Sequence, residues 1–185
     1  GAAAAVAGVQ RLAYLGGLSG EVVARLTGGL FRYPQKLLFW TTVGAALLAG
    51  GEPHWVNADP ARAYAHDFGA VPEPVWGRTQ LLYVCSPDNP TGRVLTRDDW
   101  RRLFALSDRH GFVIASDECY SEVYFDEARP PLGGLAAAHA LGRAGYPGLV
   151  VLGSLSKRSN APGLRSGYVA GDAALLKAFL LYRTY

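Results

Sequence analysis

Three short apolar runs stand out along the chain: Leu81 to Cys85, Phe112 to Ala115, and Leu149 to Leu152. Each is continuous rather than alternating, the pattern of strands buried on both faces of a parallel sheet. Between the first two the period changes to that of a helix. Trp100, Leu103, Phe104 and Ser107 recur at helical spacing behind Thr96, which predicts an N-cap with Asp99 completing a carboxylate capping box. Arg109 and His110 close the last turn, and Gly111 predicts the stop. Strand, helix and strand in this order make a βαβ unit with a right-handed parallel crossover. Leu132 to Leu141 predicts another helix, weakened by Gly133 and Gly134, and Leu175, Leu176, Phe179 and Leu180 mark a helical pattern near the C-terminus. Pro53 to Arg78, rich in proline, predicts irregular connection with a short helical piece. The first forty residues show no clear pattern, and no internal repeat is evident.

Composition narrows the class. With 185 residues, half of them hydrophobic and 18% charged, the chain suits one globular domain or a large part of one. A net charge of +3 with scattered basic residues gives no nucleic-acid footprint. Leu37 to Gly51 is uncharged but short for a membrane span and reads as buried core. The alanine-rich start lacks the basic flank of a signal peptide. No membrane and a cytoplasmic location are the resulting expectations. Cys85 and Cys119 have no partners at metal-ligand spacing, so reduced thiols are expected rather than a disulfide or a nucleophile. The chain has no methionine and begins at Gly1, and its last helical pattern has no glycine stop; a fragment is the expected status.

In an open α/β sheet, ligands bind beyond the carboxyl ends of the strands. That rule gathers three polar segments. Ser86 to Gly92 reads as an ordinary turn, or as a rigid loop in which Pro90 fixes the Asn89 amide for a ligand oxygen, a cis bond being one way to do so. Ser116 to Tyr120 ends a strand on Asp117 and Glu118, which lack the further ligands a metal needs. A buried Asp117 facing a heteroaromatic nitrogen would keep that nitrogen protonated, and Tyr120 could reach the same ligand. Ser154 to Asn160 contains Lys157, behind a buried strand, among hydroxyls and followed by two arginines. Nearby cations and desolvation lower a lysine's pKa and make it a competent amine. Ser154, Ser156 and Arg165 are natural binders of a phosphate dianion.

Asn89-Pro90-Thr91-Gly92, Asp117-x-x-Tyr120 and Ser154-x-Ser156-Lys157 with the following Arg165 together resemble the motif set of class I/II aminotransferases, over roughly Val43 to Tyr185. The resemblance implies the large domain of fold type I, a mostly parallel sheet covered by helices on both faces, here incomplete. It implies a 1–42 segment without family match, a 43–185 partial cofactor domain, and the absence of the small C-terminal domain. It implies pyridoxal 5'-phosphate (PLP) as cofactor, with Lys157 as its covalent anchor and proton carrier. Asp117 would pair with the ring nitrogen, Asn89 and Tyr120 with the ring's phenolic oxygen, and Ser154, Ser156 and Arg165 with the phosphate. It further implies amino-acid and keto-acid substrates and a homodimer. The stretches 44–50, 117–127 and 154–160 are similar to the succinyldiaminopimelate branch of bacterial lysine biosynthesis. Phe39 and Trp40, near the expected ring-stacking aromatic, read as core residues. A fold-type-I β-lyase and an inactive fragment are the alternatives. A P-loop or dinucleotide domain is disfavoured, since no glycine-rich loop of either type follows a strand.

Overall fold

The computed structural model describes residues 46–47 and 50–184. The expectations for the first forty residues, for Phe39 and Trp40, and for most of 37–51 lie outside them. At the near end of that stretch the buried-core expectation is corrected: Leu47, in a helical turn, is 55% exposed. The described residues fall into two compact units. One is Val56–Lys177; the other takes in the residues up to Trp55 and those from Ala178 onward.

The larger unit opens with irregular chain. Strands β1 (Ala58–Asp59) and β2 (Ala65–His66) form a two-residue antiparallel pair, followed by the one-turn helix α1 (Glu73–Trp76). The main sheet then begins at β3 (Leu81–Cys85), continues through helix α2 (Arg97–His110) to β4 (Val113–Asp117), and through α3 (Gly134–Ala140) to β5 (Leu149–Ser154). A single turn, α4 (Leu155–Arg158), leads to β6 (Gly167–Gly171) and helix α5 (Ala173–Thr184). The order in space is β3-β4-β5-β6, parallel across β3/β4 and β4/β5 and antiparallel across β5/β6.

Helix α2 forms where its local signals predict it. The Thr96 hydroxyl accepts from the Asp99 N–H at 3.1 Å, and the Asp99 carboxylate accepts from the Thr96 N–H at 3.0 Å. Gly111 ends the helix in the left-handed region. Its buried stripe, Trp100, Leu103, Phe104 and Ser107, lies on the sheet face that carries Val84, Ile114, Leu149 and Val151. Ala137 and Ala138 of α3 join the same core. Burial of each large aliphatic or Phe side chain there contributes about 1.5–3 kcal/mol. Gly134, expected to weaken α3, is its first residue. A Cβ at that position would stand 2.9 Å from the Trp100 ring, so the close packing of helix and indole requires glycine.

The strand limits differ from the apolar runs in a way that matters for the site. β4 runs to Asp117 instead of Ala115, and β5 to Ser154 instead of Leu152. Backbone pairing continues past the apolar pattern, with Cys85 opposite Asp117 and Asp117 opposite Leu152. Strand β6 is absent from the sequence expectations because its glycines weaken the strand signal. The backbone requires them: a Cβ at Gly167 would lie 2.6 Å from the Gly153 carbonyl oxygen, and one at Gly171 2.1 Å from that of Leu149. Among the described residues no helix is long and apolar enough to cross a membrane.

Candidate active site

The carboxyl ends of β3, β4 and β5 lie side by side, with β4 in the middle. Asp117 is the last residue of β4 and only 6% exposed. Its backbone is held from both sides, since its carbonyl accepts from the Ser86 N–H at 3.0 Å and the next N–H, of Glu118, donates to Leu152 at 2.9 Å. Its carboxylate is held too. Oδ1 accepts from the Cys119 N–H at 3.1 Å, and Oδ2 from the Tyr83 hydroxyl at 2.5 Å. Tyr83 was not among the expected site residues, because it sits inside an apolar run. Period-2 alternation puts Tyr83 and Cys85 on one face, and the β3/β4 register puts Ala115 and Asp117 beside them.

The chain beyond β3 supplies Asn89. Two cis peptide bonds, Ser86–Pro87 and Asn89–Pro90, shape this loop. Asp88 closes it on itself, its carboxylate accepting from the Thr91 hydroxyl at 2.5 Å and its carbonyl from the Gly92 N–H at 2.7 Å. The buried Ser86 hydroxyl accepts from the Leu95 N–H at 3.0 Å and ties the loop to the approach of α2. Asn89 Nδ2 donates to the Tyr120 hydroxyl at 3.3 Å. The two loops are therefore in direct contact through these side chains.

Glu118 has a structural task. Its Oε1 accepts from the Gly134 N–H at 2.7 Å and the Ser116 hydroxyl at 3.0 Å, pinning the β4 exit to the start of α3. Burial, opposed by those two donors, pushes its carboxyl above the usual carboxylate range. Burial and the Asp117 carboxylate push the Cys85 and Cys119 thiols up to about 12. Both cysteines are free and, so shifted, are neutral thiols rather than nucleophiles. Among the described residues, no cluster of His, Cys, Asp or Glu could hold a metal.

Beyond β5, Ser154 caps the turn of α4. Its Oγ accepts from the Ser156 N–H at 3.1 Å and donates to Ser156 Oγ at 3.0 Å. Lys157 lies on the same turn, exposed, with its neighbour Arg158 paired to Glu122 at 3.5 Å. Arg165 is exposed in the left-handed region and donates to the Pro162 carbonyl at 3.1 Å. Two pairs, Asn89 with Tyr120 and Ser154 with Ser156, are thus in contact. Lys157 and Arg165 are not hydrogen-bonded to Asn89, Asp117 or Tyr120.

The donors suit a phosphorylated, hydroxylated pyridine aldehyde. The Asp117 carboxylate accepts from the Tyr83 hydroxyl, the Cys119 N–H and the Cys119 thiol, and retains a lone pair for a ring N–H. An amide and a phenol stand together for a ring oxygen, two hydroxyls and an exposed guanidinium are at hand for a phosphate, and a primary amine is next to them.

The family model for aminotransferase class I and II matches residues 43–183. A crystal structure of an aminotransferase from Neisseria meningitidis Z2491 is similar at 57% identity and a TM-score of 0.75, over 78% of this chain and 36% of its own. An aromatic amino acid aminotransferase from Rhodococcus opacus is 40% identical over 132 residues, 71% of this chain and 33% of the relative. An LL-diaminopimelate aminotransferase from Desulforudis audaxviator is 32% identical over 136 residues, 73% of this chain and 33% of the relative. The chain spans about a third of the length of these curated relatives.

Proposed function

The chain belongs to the class I and II aminotransferases, fold-type-I proteins that depend on PLP, and on that premise we propose that it transfers an amino group from an amino acid to a 2-oxo acid. The observation that carries this reading is the arrangement around β4. A buried Asp117 ends the middle strand, the Asn89–Tyr120 pair lies beyond one neighbouring strand and its own exit, and Ser154, Ser156 and Lys157 follow the other neighbour.

When bound, the cofactor supplies an electron-withdrawing ring that stabilises the electron pair left at the substrate's α-carbon. Lys157 Nζ would hold the cofactor covalently and carry the proton removed from that carbon. Asp117 would hold a proton on the ring nitrogen, Asn89 and Tyr120 would donate to the ring oxygen, and Ser154, Ser156 and Arg165 would bind the phosphate. Serine hydroxyls and a bidentate guanidinium match a phosphate dianion in both charge and geometry. The same reading implies a homodimer, because active sites of this fold are built across the subunit interface.

For the substrate, the likeness of 44–50, 117–127 and 154–160 to the succinyldiaminopimelate branch supports N-succinyl-LL-2,6-diaminopimelate with 2-oxoglutarate as amino acceptor. The diaminopimelate-acting relative adds support for this substrate type. The 40% identity to an aromatic amino acid aminotransferase favours an aromatic substrate as the second reading. Loading the protein with PLP and adding each amino acid alone tests both. The reading expects one equivalent of 2-oxo acid per bound cofactor and, once 2-oxoglutarate is added to allow turnover, a higher kcat/KM for the succinylated substrate than for phenylalanine. Release of pyruvate, ammonia and a thiol from an S-alkylcysteine, without any acceptor, would instead establish a β-lyase.

A further inference from the structure

We infer that Tyr83 is a positioning residue for the cofactor-facing carboxylate, acting through its hydrogen bond to Asp117 Oδ2. The inference rests on the reading of Asp117 as the partner of the ring nitrogen. Tyr83 lies two residues before the β3 neighbour of Asp117, on the same face of the sheet, and its side chain runs along that face toward the strand ends. At 2.5 Å its hydroxyl makes the shortest described bond to the carboxylate, and the Cys119 N–H holds the other oxygen. The carboxylate is thereby fixed in rotation, with one oxygen held by a backbone amide and the other by a phenol.

The contact has consequence beyond packing, because Tyr83 is 37% exposed and stands outside the buried core. Burial and then the charge of Asp117 drive its phenol far above the ordinary tyrosine range, so it stays a donor across the working pH range. The neighbouring thiols, pushed up to about 12, do not compete as anions. A donor that takes up part of the carboxylate's charge sets how strongly the remaining charge holds a proton on the ring. Loss of that donor leaves Asp117 carrying more charge toward the ring and less constrained in angle. The first effect moves the proton equilibrium of the bound cofactor to higher pH; the second slows turnover.

The test uses the full chain loaded with PLP and compares Tyr83→Phe, Asp117→Ala and the double variant by visible absorbance against pH and by steady-state kinetics. Tyr83→Phe is expected to shift the absorbance transition to higher pH and to lower kcat by about tenfold, the loss of one hydrogen bond to a charged group. KM is expected to change by less than about twofold. In the Asp117→Ala background the same change is expected to add nothing, because its effect passes through the carboxylate. Replacing Tyr83 with 3-fluorotyrosine, a stronger donor of the same shape, is expected to move the transition to lower pH, and gives the test a variant whose folding is not in question. If Asp117→Ala alters the spectrum while neither Tyr83 replacement moves it, the inference is overturned and the reading of Asp117 stands. If Asp117→Ala alters neither spectrum nor kcat, both fall together.

Discussion

Asn89 and Tyr120, 31 residues apart in the chain, meet at 3.3 Å where the exits of β3 and β4 converge. Both sit outside the buried core, so their contact contributes little to the stability of the fold. Asn89→Ala is therefore expected to change unfolding free energy by less than about 0.5 kcal/mol. The same variant is expected to shift the pH dependence of the bound cofactor's absorbance, since the donor proposed for the ring oxygen is lost. Urea denaturation and a spectral titration of one preparation check both. A large stability loss with an unchanged titration would make the pair structural.

On the role proposed for it, Asp117 would separate binding from catalysis. In Asp117→Ala the hydroxyls and Arg165 remain, so PLP affinity is expected to fall by less than about tenfold. Turnover is expected to fall by more than about a hundredfold, because the proton on the ring nitrogen is no longer held. Equilibrium titration with PLP and single-turnover kinetics give the two numbers. Comparable losses in both would count against the assigned role.

Glu118 gives a pH dependence of stability with a definite sign. Its carboxyl is pushed above its ordinary value of 4.5, chiefly by burial. The folded protein then binds this proton more tightly than the unfolded chain. The group's favourable contribution is complete below 4.5 and is lost as pH rises through the higher folded value. Glu118→Gln keeps an acceptor for the Gly134 N–H and removes the titration. The stability of the glutamine variant relative to the parent is expected to rise between about pH 4 and pH 7. Urea midpoints at three pH values measure it; a relative fall over that interval would contradict the assignment.

Packing at the α2/α3 contact gives a prediction about the fold alone. Gly134→Ala puts a methyl 2.9 Å from a Trp100 ring that is fully buried and cannot yield, and is expected to destabilise by about 1–3 kcal/mol. Gly77→Ala, whose nearest neighbour would be 3.6 Å away, is the control and is expected to stay within about 0.5 kcal/mol of the parent. Equal effects at the two glycines would contradict the packing account.

The parts of this molecule that were legible in the sequence are those written in local chemistry. Thr96, Asp99 and Gly111 act within a few residues of themselves, so both ends of α2 could be read directly. The three central strands announced themselves by continuous apolar runs, although only β4 is buried along its whole length and Tyr83 leaves β3 part-exposed; the parallel-sheet rule then placed Asn89, Asp117 and Lys157 near one edge. What escaped depends on partners distant in the chain. Gly167 and Gly171 are dictated by the backbones of Gly153 and Leu149, so β6 carried no strand signal of its own. Asp117 and Ser154 belong to their strands through pairing that continues beyond the apolar pattern. Tyr83 looked like any strand residue until the register set it beside Asp117.

Lys157 is the residue on which the functional account turns, and it stands exposed on α4 directly after the capped end of β5. Incubation with PLP, borohydride reduction and peptide mapping test it most directly. The account predicts a phosphopyridoxyl label on Lys157, lost in Lys157→Ala. A label on Lys36 or Lys177, or undiminished labelling of the variant, would contradict it.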